Sequence, residues 1–366
     1  MKRFTLAGSQ QHNLTTQQQA VVDSNEPTVL VNAVAGSGKT ATLMHLATKY
    51  KKGIYLAFNK AIVQDVVPKL PLGWQCKTFN AFGLAITKQH YPHAKVDFNK
   101  YSKINSYSPN IPTLVSKHMS MNGNISDSSW KETCDRFKIS HRFIEEAKEA
   151  LNEGQEYTSL ISGDDMLQYP IDNGWKSEEY EIVLIDECQD LNPQQIAFLT
   201  CIPTKRIVFV GDVNQAIYGF RGSDPYAIEK IKDHYNPIEY QLTESFRCPQ
   251  EIITTVKHIV PAITSNKTGG SIETADGNRD IDFPDECFII SRTNSNLVKL
   301  AYKFIQENKH FSIGGTFITQ LKKDLNRVFN GCVSLTEMRE NVIDQYEKEL
   351  NKAKGNKWNI TSIENK

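Results

Sequence analysis

One stretch constrains this chain more than any other: Ala33–Thr40 reads AVAGSGKT, directly after a β-branched run and at the start of a helical pattern. Glycines at such a junction let backbone N–H groups turn toward a polyphosphate, and the start of the helix adds the positive end of its dipole. The pattern G-x-x-x-x-G-K-[ST] is met except at its first glycine, where Ala33 fits if it keeps a negative φ. In this pattern Lys39 reaches the β- and γ-phosphates and the Thr40 hydroxyl binds Mg²⁺. A glycine-rich turn without any ligand is the competing interpretation.

Four short apolar runs predict buried strands around this motif. They are rich in β-branched residues, and polar or glycine-rich residues follow each of them. They are Thr28–Ala33, Ile54–Phe58, Ile182–Ile185 and Ile207–Val210, and they alternate with helical patterns at Thr40–Tyr50, Lys60–Val67 and Pro193–Leu199. This alternation predicts an α/β fold with a parallel sheet covered on both faces. Because ligands bind outside the carboxyl ends of such strands, the residues just after each run are the candidates for function.

Composition narrows the possible functions. The chain has 366 residues with 42 basic and 42 acidic side chains, so its net charge of +0 gives no argument for a nucleic-acid partner. No apolar run approaches the roughly 20 residues of a membrane span, which predicts no membrane partner. The seven cysteines are scattered without a C-x-x-C pair. This usage argues against a disulfide framework and a cysteine zinc site, and predicts a reducing, cytoplasmic location.

Polar residues follow two of the predicted strands. After Ile182–Ile185, Asp186 would hold Mg²⁺ through water and Glu187 would orient and deprotonate an attacking water. After Ile207–Val210, Gln215 can sense a γ-phosphate, because an amide donates to oxygen and accepts from water. An acidic pair after a strand is by itself more often a helix cap and first-turn charge. Beside a phosphate-binding loop the metal interpretation is favoured, because both sites need the same metal and phosphate.

Aromatic residues alternate with glycine and arginine just beyond this amide, in Ala216–Gly222 (AIYGFRG). Such a segment suits a platform on which nucleic-acid bases stack. Packing of Tyr218 and Phe220 in the core is the alternative interpretation.

Together, the motifs resemble those of the superfamily 1 DNA helicases of the UvrD/Rep type, over roughly residues 10 to 330. The matching segments are the Q motif at Leu14–Ala20, motifs Ia and Ib at Leu56–Ala61 and Lys77–Phe82, the D-E-x-Q-D motif at Asp186–Asp190, the third motif at Gly211–Gly222 and the fourth at Thr243–Arg247. With Asp164–Leu167 ahead of the acidic strand, the sequence is most similar to the F-box DNA helicase branch.

The resemblance implies a P-loop NTPase that uses ATP and Mg²⁺, and it implies roles for individual residues. Gln18 would read the adenine edge, Phe246 would stack on adenine, and Arg247 would contact the γ-phosphate. The implied nucleotide-binding residues are Gln18, Ala35, Gly36, Ser37, Gly38, Lys39, Thr40, Phe246 and Arg247, and Thr40 and Asp186 are the implied metal ligands. The implied catalytic residues are Lys39, Glu187, Gln215 and Arg247. The implied DNA contacts are Phe58, Asn59, Lys60, Thr78, Phe79, Tyr218, Phe220 and Arg221.

The resemblance also implies a domain organisation. A RecA-like motor domain would consist of residues 1–92 and 169–246, with a mostly helical insertion at 93–168. Residues 247–366 would form an incomplete second RecA-like domain that contains a strand at Cys287–Ser291 and ends in a helical tail. Family motifs V and VI, which carry a lysine-glycine pair after a strand and an arginine of the ATP site, have no match in the chain.

The expected function is therefore that of an ATP-dependent DNA helicase or translocase, in which Mg-ATP hydrolysis is coupled to binding of single-stranded DNA or of a duplex with a single-stranded tail. Full activity is expected to need the two missing motifs, for which a separate chain is one possible source. The alternative is a nucleotide-gated module that binds DNA or a partner without unwinding.

Overall fold

The computed structural model describes residues 13–104, 108, 110–122, 126–215, 224–273, 287–291, 294–307 and 309–312. The chain divides into two compact units, residues 1–273 and 274–366. Within the described residues, no helix is both long and apolar enough to cross a membrane.

A parallel sheet forms the centre of the first unit. The strands of this unit are β1 (Thr28–Ala33), β2 (Gly53–Ala57), β3 (Gln75–Thr78), β4 (Lys95–Val96), β5 (Leu160–Ile161), β6 (Ile182–Ile185), β7 (Ile207–Gly211) and β8 (Ile238–Leu242). Six of them form one sheet in the order β3-β2-β6-β7-β1-β8, and β4 pairs with β5 separately. The pairings between these strands of the described chain are all parallel, with Val31 opposite Val210 and Leu56 opposite Ile185. The predicted α/β fold is confirmed, and the four predicted strands are found to within one residue at either end.

Helices cover both faces of this sheet. The helices of the described chain are α1 (Thr16–Asp23), α2 (Lys39–Ala47), α3 (Lys60–Val66), α4 (Phe79–His90), α5 (Lys100–Ile104), α6 (Asn110–Ser120), α7 (Asp127–Phe137), α8 (Ile144–Glu156), α9 (Asp165–Asn173), α10 (Pro193–Phe198), α11 (Ala227–Tyr235), α12 (Gln250–Val256) and α13 (Asn294–Gln306). Alternate residues of one strand enter different cores: Leu30 packs in the cluster that contains α4 and α10, whereas Val29 and Val31 pack in the cluster that contains α1 and α2. Burial on both faces explains why the central strands are continuous apolar runs.

Helices α5 to α8 form a small core of their own, around the fully buried ring of Trp130. This helical region begins after β4 and ends before β5, and the pairing of Lys95 with Leu160 brings its two ends together. The proposed domain boundaries at 93 and 168 remain a prediction.

A buried ion pair joins the helical region to α9. Lys100 Nζ lies 2.8 Å from Asp165 Oδ2, and both side chains are fully buried. Asp165 also accepts from the Tyr101 hydroxyl at 2.7 Å and from Ser162 N at 2.8 Å, and Lys100 donates to the Tyr169 hydroxyl. Because each charged group has several partners, the network compensates for much of the cost of burying two charges.

Asp164, next to this network, gives a prediction about pH. Burial raises the pKa of Asp164 to about 6, against the lowering effects of a hydrogen bond with Ser116 and the charge of Lys117. The folded state then binds this proton at a higher pH than the unfolded state. Protonated Asp164 therefore contributes to the stability of the folded state below about pH 4, and this contribution is lost as the pH rises through about 6.

Asp164→Asn should therefore flatten the pH dependence of the thermal midpoint between pH 4 and 6 and raise the midpoint at pH 7. Thermal unfolding across this range measures it, with exposed Glu149→Gln as the control; identical profiles for wild type and Asp164→Asn would contradict the prediction.

In the second unit, α13 is the described helix, and the ring centroids of Phe304 and Phe311 lie 5.8 Å apart. The strand predicted at Cys287–Ser291 is not formed: these described residues have no strand pairing, and Phe288 is fully exposed. An apolar run forms a strand only when a neighbouring strand provides hydrogen-bond partners for its backbone N–H and C=O groups. No described residue pairs with Cys287–Ser291 in this way.

Candidate functional site

The loop between β1 and α2 has the geometry that the sequence predicts. Gly36 and Gly38 adopt φ of 76° and 81°, in the left-handed region that favours glycine. A Cβ at Gly36 would lie 2.5 Å from Arg247 Cβ, and one at Gly38 would lie 2.7 Å from Gln18 Nε2. Ala33 lies in β1 and is not among the described residues with positive φ, so alanine is compatible with this position.

A cleft of about 350 Å³ opens over this loop. It is lined by Ala35, Gly36, Ser37, Gly38, Lys39, Thr40, Ala41, Glu187, Gln215, Phe246 and Arg247. Ser37 is 1% exposed, and its Oγ is a buried polar atom without a hydrogen-bond partner. Buried polar atoms in proteins are normally paired, so an unpaired hydroxyl in a glycine loop at a helix start fits a site for an anionic group. The sequence motif and the cleft coincide.

An ion pair crosses the cleft from the loop to the acidic strand. Lys39 Nζ lies 3.1 Å from Glu187 Oε2, although the two residues are far apart in sequence. The pairing arises because Lys39 begins α2 after β1, whereas Glu187 follows β6, and both strands end at the same edge of the sheet. Glu187 has a φ of 52°, a conformation that costs energy in a non-glycine residue. Strained backbone of this kind is often found at functional sites.

Asp186 is held more deeply than Glu187. Its side chain accepts from the Tyr55 hydroxyl at 2.5 Å and from Glu187 N at 2.9 Å, and the residue is 4% exposed. Burial raises the pKa of Asp186, while the hydrogen bond from Tyr55 acts to lower it. Burial and the Asp186 carboxylate raise the pKa of Tyr55, so its hydroxyl keeps the proton that it donates. Asp186 and Thr40 are both present at this end of the sheet with the oxygen donors that Mg²⁺ prefers.

A chain of amide contacts connects this pair to β7. Gln189 donates to Glu187 Oε2 at 2.9 Å and accepts from Asp212 N at 3.0 Å. Gln215 donates to Asp212 Oδ2 at 2.6 Å, which places its exposed amide at the cleft. Sequence reasoning singled out Gln215 and missed the roles of Gln189 and Asp212. Gln189 and Asp212 both belong to motifs identified in the sequence, but only the pairing of β6 with β7 shows that the two residues are in contact.

Gln18 lies against the loop. It is 6% exposed, its Oε1 accepts from Thr15 N at 3.0 Å, and its Nε2 donates to Ser37 O at 3.0 Å. The first contact is half of a capping box that begins α1. Both polar ends of the amide are therefore used to fix the loop to α1, and the reading of adenine by Gln18 stays a prediction.

The segment after β8 closes the other side of the cleft. Phe246 N donates to Gly36 O at 2.9 Å and Ser245 Oγ donates to Ala35 O at 2.7 Å, so this segment is attached directly to the loop. The Phe246 side chain is 51% exposed, and the exposed Arg247 also lines the cleft. Their predicted positions beside the nucleotide site are therefore compatible with the structure.

Of the predicted DNA contacts, three follow β2. Phe58 is half-buried, Asn59 caps α3 by accepting from Ile62 N at 3.0 Å, and Lys60 is exposed at the start of that helix. Capping accounts for the side chain of Asn59 without any DNA.

Two more predicted contacts lie at the junction of β3 and α4. Thr78 caps α4 by accepting from Ala81 N at 3.2 Å, while Phe79 is 1% exposed and belongs to the main core. The assignment of Phe79 as a stacking residue is therefore corrected: its ring packs in the core between the sheet and the helices that cover it, and it offers no face to a base. The predicted contacts Tyr218, Phe220 and Arg221 lie outside the described residues.

The fold and the site together define a class of protein. A parallel sheet with a glycine loop after β1, an acidic pair after β6 and an amide after β7 is the α/β arrangement of a P-loop NTPase with a RecA-like sheet. Among the described residues there is no cluster of three or more histidine, cysteine or acidic side chains that would hold a metal by itself.

Comparison with known proteins supports the same family resemblance. Residues 170–236 match the model of the UvrD/REP helicase N-terminal domain. The chain is similar to UvrD-like proteins of superfamily 1, as its motifs predict.

Curated relatives agree with this assignment. The chain is 26% identical over 351 residues to F-box DNA helicase protein 1 of Schizosaccharomyces pombe, which covers 84% of this chain and 38% of that protein. It is 26% identical over 347 residues to F-box DNA helicase 1 of Gallus gallus, covering 82% and 33%. A shorter match, 37% identical over 87 residues, covers 22% of this chain and 12% of the mitochondrial ATP-dependent DNA helicase HMI1 of Saccharomyces cerevisiae. The matched region thus spans about a third of the length of the F-box relatives.

Proposed function

We propose that the chain acts as an ATP-dependent DNA helicase or translocase of the UvrD type, in which Mg-ATP hydrolysis is coupled to binding of single-stranded DNA. The observation that carries this proposal is the pairing of Lys39 with Glu187 across a cleft that also contains the unpaired hydroxyl of Ser37. The relatives named above as DNA helicases support the DNA partner.

The nucleotide would lie with its phosphates on the loop. Backbone N–H groups around Gly36 and Gly38 and the Lys39 ammonium would hold the phosphate oxygens, as their place at the start of α2 favours. Thr40 and Asp186 would hold Mg²⁺, which when bound neutralises phosphate charge. These roles explain why two glycines, a lysine and a buried carboxylate lie together at the edge of the sheet where the strands have their carboxyl ends.

Glu187 would orient the attacking water and take its proton. Its carboxylate is held in place by Lys39 and Gln189 and is 29% exposed, so it has both a fixed position and access to solvent. Gln215 would sense the γ-phosphate through the contacts that connect it to Asp212 and Gln189. A module that only binds nucleotide has no use for a carboxylate held in this way, which favours hydrolysis.

The base would stack on Phe246, whose half-exposed ring borders the cleft, and Gln18 would read the adenine edge after releasing its hydrogen bond to Ser37 O of the loop. Arg247 would contact the γ-phosphate. This arrangement makes the segment after β8 part of the nucleotide site.

DNA would lie across the carboxyl ends of β2 and β3, against Phe58, Lys60 and Thr78. Tyr218, Phe220 and Arg221 would complete the track. We also propose the two-part motor domain with its helical insertion at 93–168, and an intracellular location, which the scattered free cysteines of the described chain support.

Hydrolysis of ATP with and without single-stranded DNA tests the function. We expect Mg²⁺-dependent hydrolysis that single-stranded DNA stimulates. Nucleotide-dependent DNA binding without hydrolysis would instead favour the nucleotide-gated binding module.

Phe220→Ala tests the DNA track. Loss of one base stack removes about 1–3 kcal/mol, so the Kd for single-stranded DNA should rise roughly tenfold. Fluorescence anisotropy with a labelled oligonucleotide measures this. Tyr157→Ala, at a 53% exposed aromatic residue after α8, is the control and should bind as wild type does. Unchanged affinity in Phe220→Ala would show that this ring packs in the core.

A further inference from the structure

Tyr55 is a buried residue to which the nucleotide chemistry gives no role. It lies in β2, it is 0% exposed, and its hydroxyl donates to Asp186 Oδ2 at 2.5 Å. The other carboxylate oxygen of Asp186 accepts from Glu187 N at 2.9 Å. Each oxygen of the carboxylate therefore has one donor: the Tyr55 hydroxyl comes from the middle of β2, and Glu187 N lies just after β6. Together they fix the rotation of the carboxylate plane.

The sheet explains why tyrosine is suited to this contact. Tyr55 stands opposite Leu184 in the register of β2 and β6, so Asp186 lies two residues further along the neighbouring strand. Two residues of a strand extend about 6.6 Å, a distance that a phenol side chain spans and a shorter polar side chain does not. Ala57, two residues after Tyr55 and in the same buried cluster, is small and leaves room for the hydroxyl.

We infer that Tyr55 is a positioning residue for the metal site: its hydroxyl holds the Asp186 carboxylate in the orientation that Mg²⁺ with a bound nucleotide requires. The inference rests on the proposed nucleotide function, since it assumes that Asp186 is a metal ligand. The simpler alternative is that a buried tyrosine hydroxyl pairs with the nearest acceptor, with no consequence for the metal.

Tyr55→Phe separates these interpretations, because it removes the hydroxyl and keeps the ring. Binding of a fluorescent ATP analogue is measured as a function of Mg²⁺ concentration, and again in EDTA without any metal. We expect the Mg²⁺ concentration for half-maximal binding to rise about tenfold, as is typical when an outer partner of a metal ligand is lost. The affinity in EDTA should not change. Tyr55→Leu, which removes hydroxyl and ring together, should show the same shift in Mg²⁺ dependence.

Tyr180→Phe is the matched control. Tyr180 is also a buried tyrosine, 1% exposed, and its hydroxyl donates to a carboxylate, Glu178, at 3.0 Å. That carboxylate precedes β6, whereas Asp186 follows β6 at the cleft. The Mg²⁺ dependence of Tyr180→Phe should equal that of the wild type.

Three results would overturn the inference. Equal Mg²⁺ dependence in Tyr55→Phe and wild type would leave the nucleotide function intact and remove the role of Tyr55. An equal loss of affinity with and without Mg²⁺ would show that Tyr55 supports the fold of the loop instead of the metal site. Failure of the wild-type chain to bind the nucleotide at all would overturn the proposed function, and the inference with it.

Discussion

Lys39→Ala should abolish measurable binding of Mg-ATP, with an affinity lower by about 100-fold or more. Lys39 is the cation at the centre of the cleft, 12% exposed and 3.1 Å from Glu187. A hydrogen bond to a charged group contributes about 1.5–3 kcal/mol, and a partly buried ammonium between loop and phosphates lies at the upper end of this range. Isothermal titration with Mg-ATP measures the change.

The fold should survive this substitution. Glu187 loses its ion pair, but it keeps the hydrogen bond from Gln189 and remains 29% exposed, so no buried charge is left without a partner. Lys49→Ala is the control, because Lys49 follows the same helix and forms an ion pair with Asp23 at the surface. It should bind Mg-ATP as the wild type does. If Lys39→Ala kept the wild-type affinity, the assignment of this loop to phosphate would be wrong.

Lys100→Met should lower the free energy of unfolding by about 3–5 kcal/mol, the usual effect of removing one partner of a buried ion pair. The carboxylate of Asp165 would stay buried with only the Tyr101 hydroxyl and Ser162 N as donors. At this chain length the thermal midpoint should fall by about 5 °C. Thermal unfolding followed by circular dichroism measures it.

Substitution of Asp165 should destabilise the fold more than substitution of Lys100. Asp165→Ala removes the acceptor of three donors at once, so its midpoint should be lower than that of Lys100→Met. Lys103→Met is the control, since Lys103 is 63% exposed and pairs with Asp97 near the surface. Its midpoint should stay near the wild-type value, because surface ion pairs contribute little. A wild-type midpoint in Lys100→Met would show that this network does not stabilise the fold.

The sequence predicted the part of the fold in which local pattern and burial agree. The central strands β1, β2, β6 and β7 are apolar runs because both faces of the sheet are covered. The edge strands β3 (QCKT) and β8 (IEYQL) were missed because neither is a continuous apolar run. All four residues of β3 are half-buried, and β8 alternates apolar with polar residues but buries only Leu242. Such strands are defined by their neighbours, which a single sequence does not reveal.

The candidate site divides in the same way, into residues that a local motif identifies and residues that only the folded structure brings together. Residues inside the glycine loop and after the acidic strand could be identified because the chemistry needs those residue types at that spacing. Tyr55 looks like an ordinary core aromatic until β2 is placed beside β6, and the pairing of Lys100 with Asp165 joins residues that are remote in sequence. Phe79 shows the opposite error, since a motif position was interpreted as a contact surface and the amphipathic helix α4 buries it.

The position of β1 in the sheet also has a consequence for synthesis of the chain. Thr28 pairs with Ile207 on one side and Val29 pairs with Ile238 on the other, so both neighbours of β1 come from beyond residue 200. On a ribosome the chain emerges from its N-terminus, and contacts of such high sequence separation form slowly. The loop that follows β1 is therefore synthesised long before β7 and β8, and it acquires its native neighbours only after both of those strands have been made.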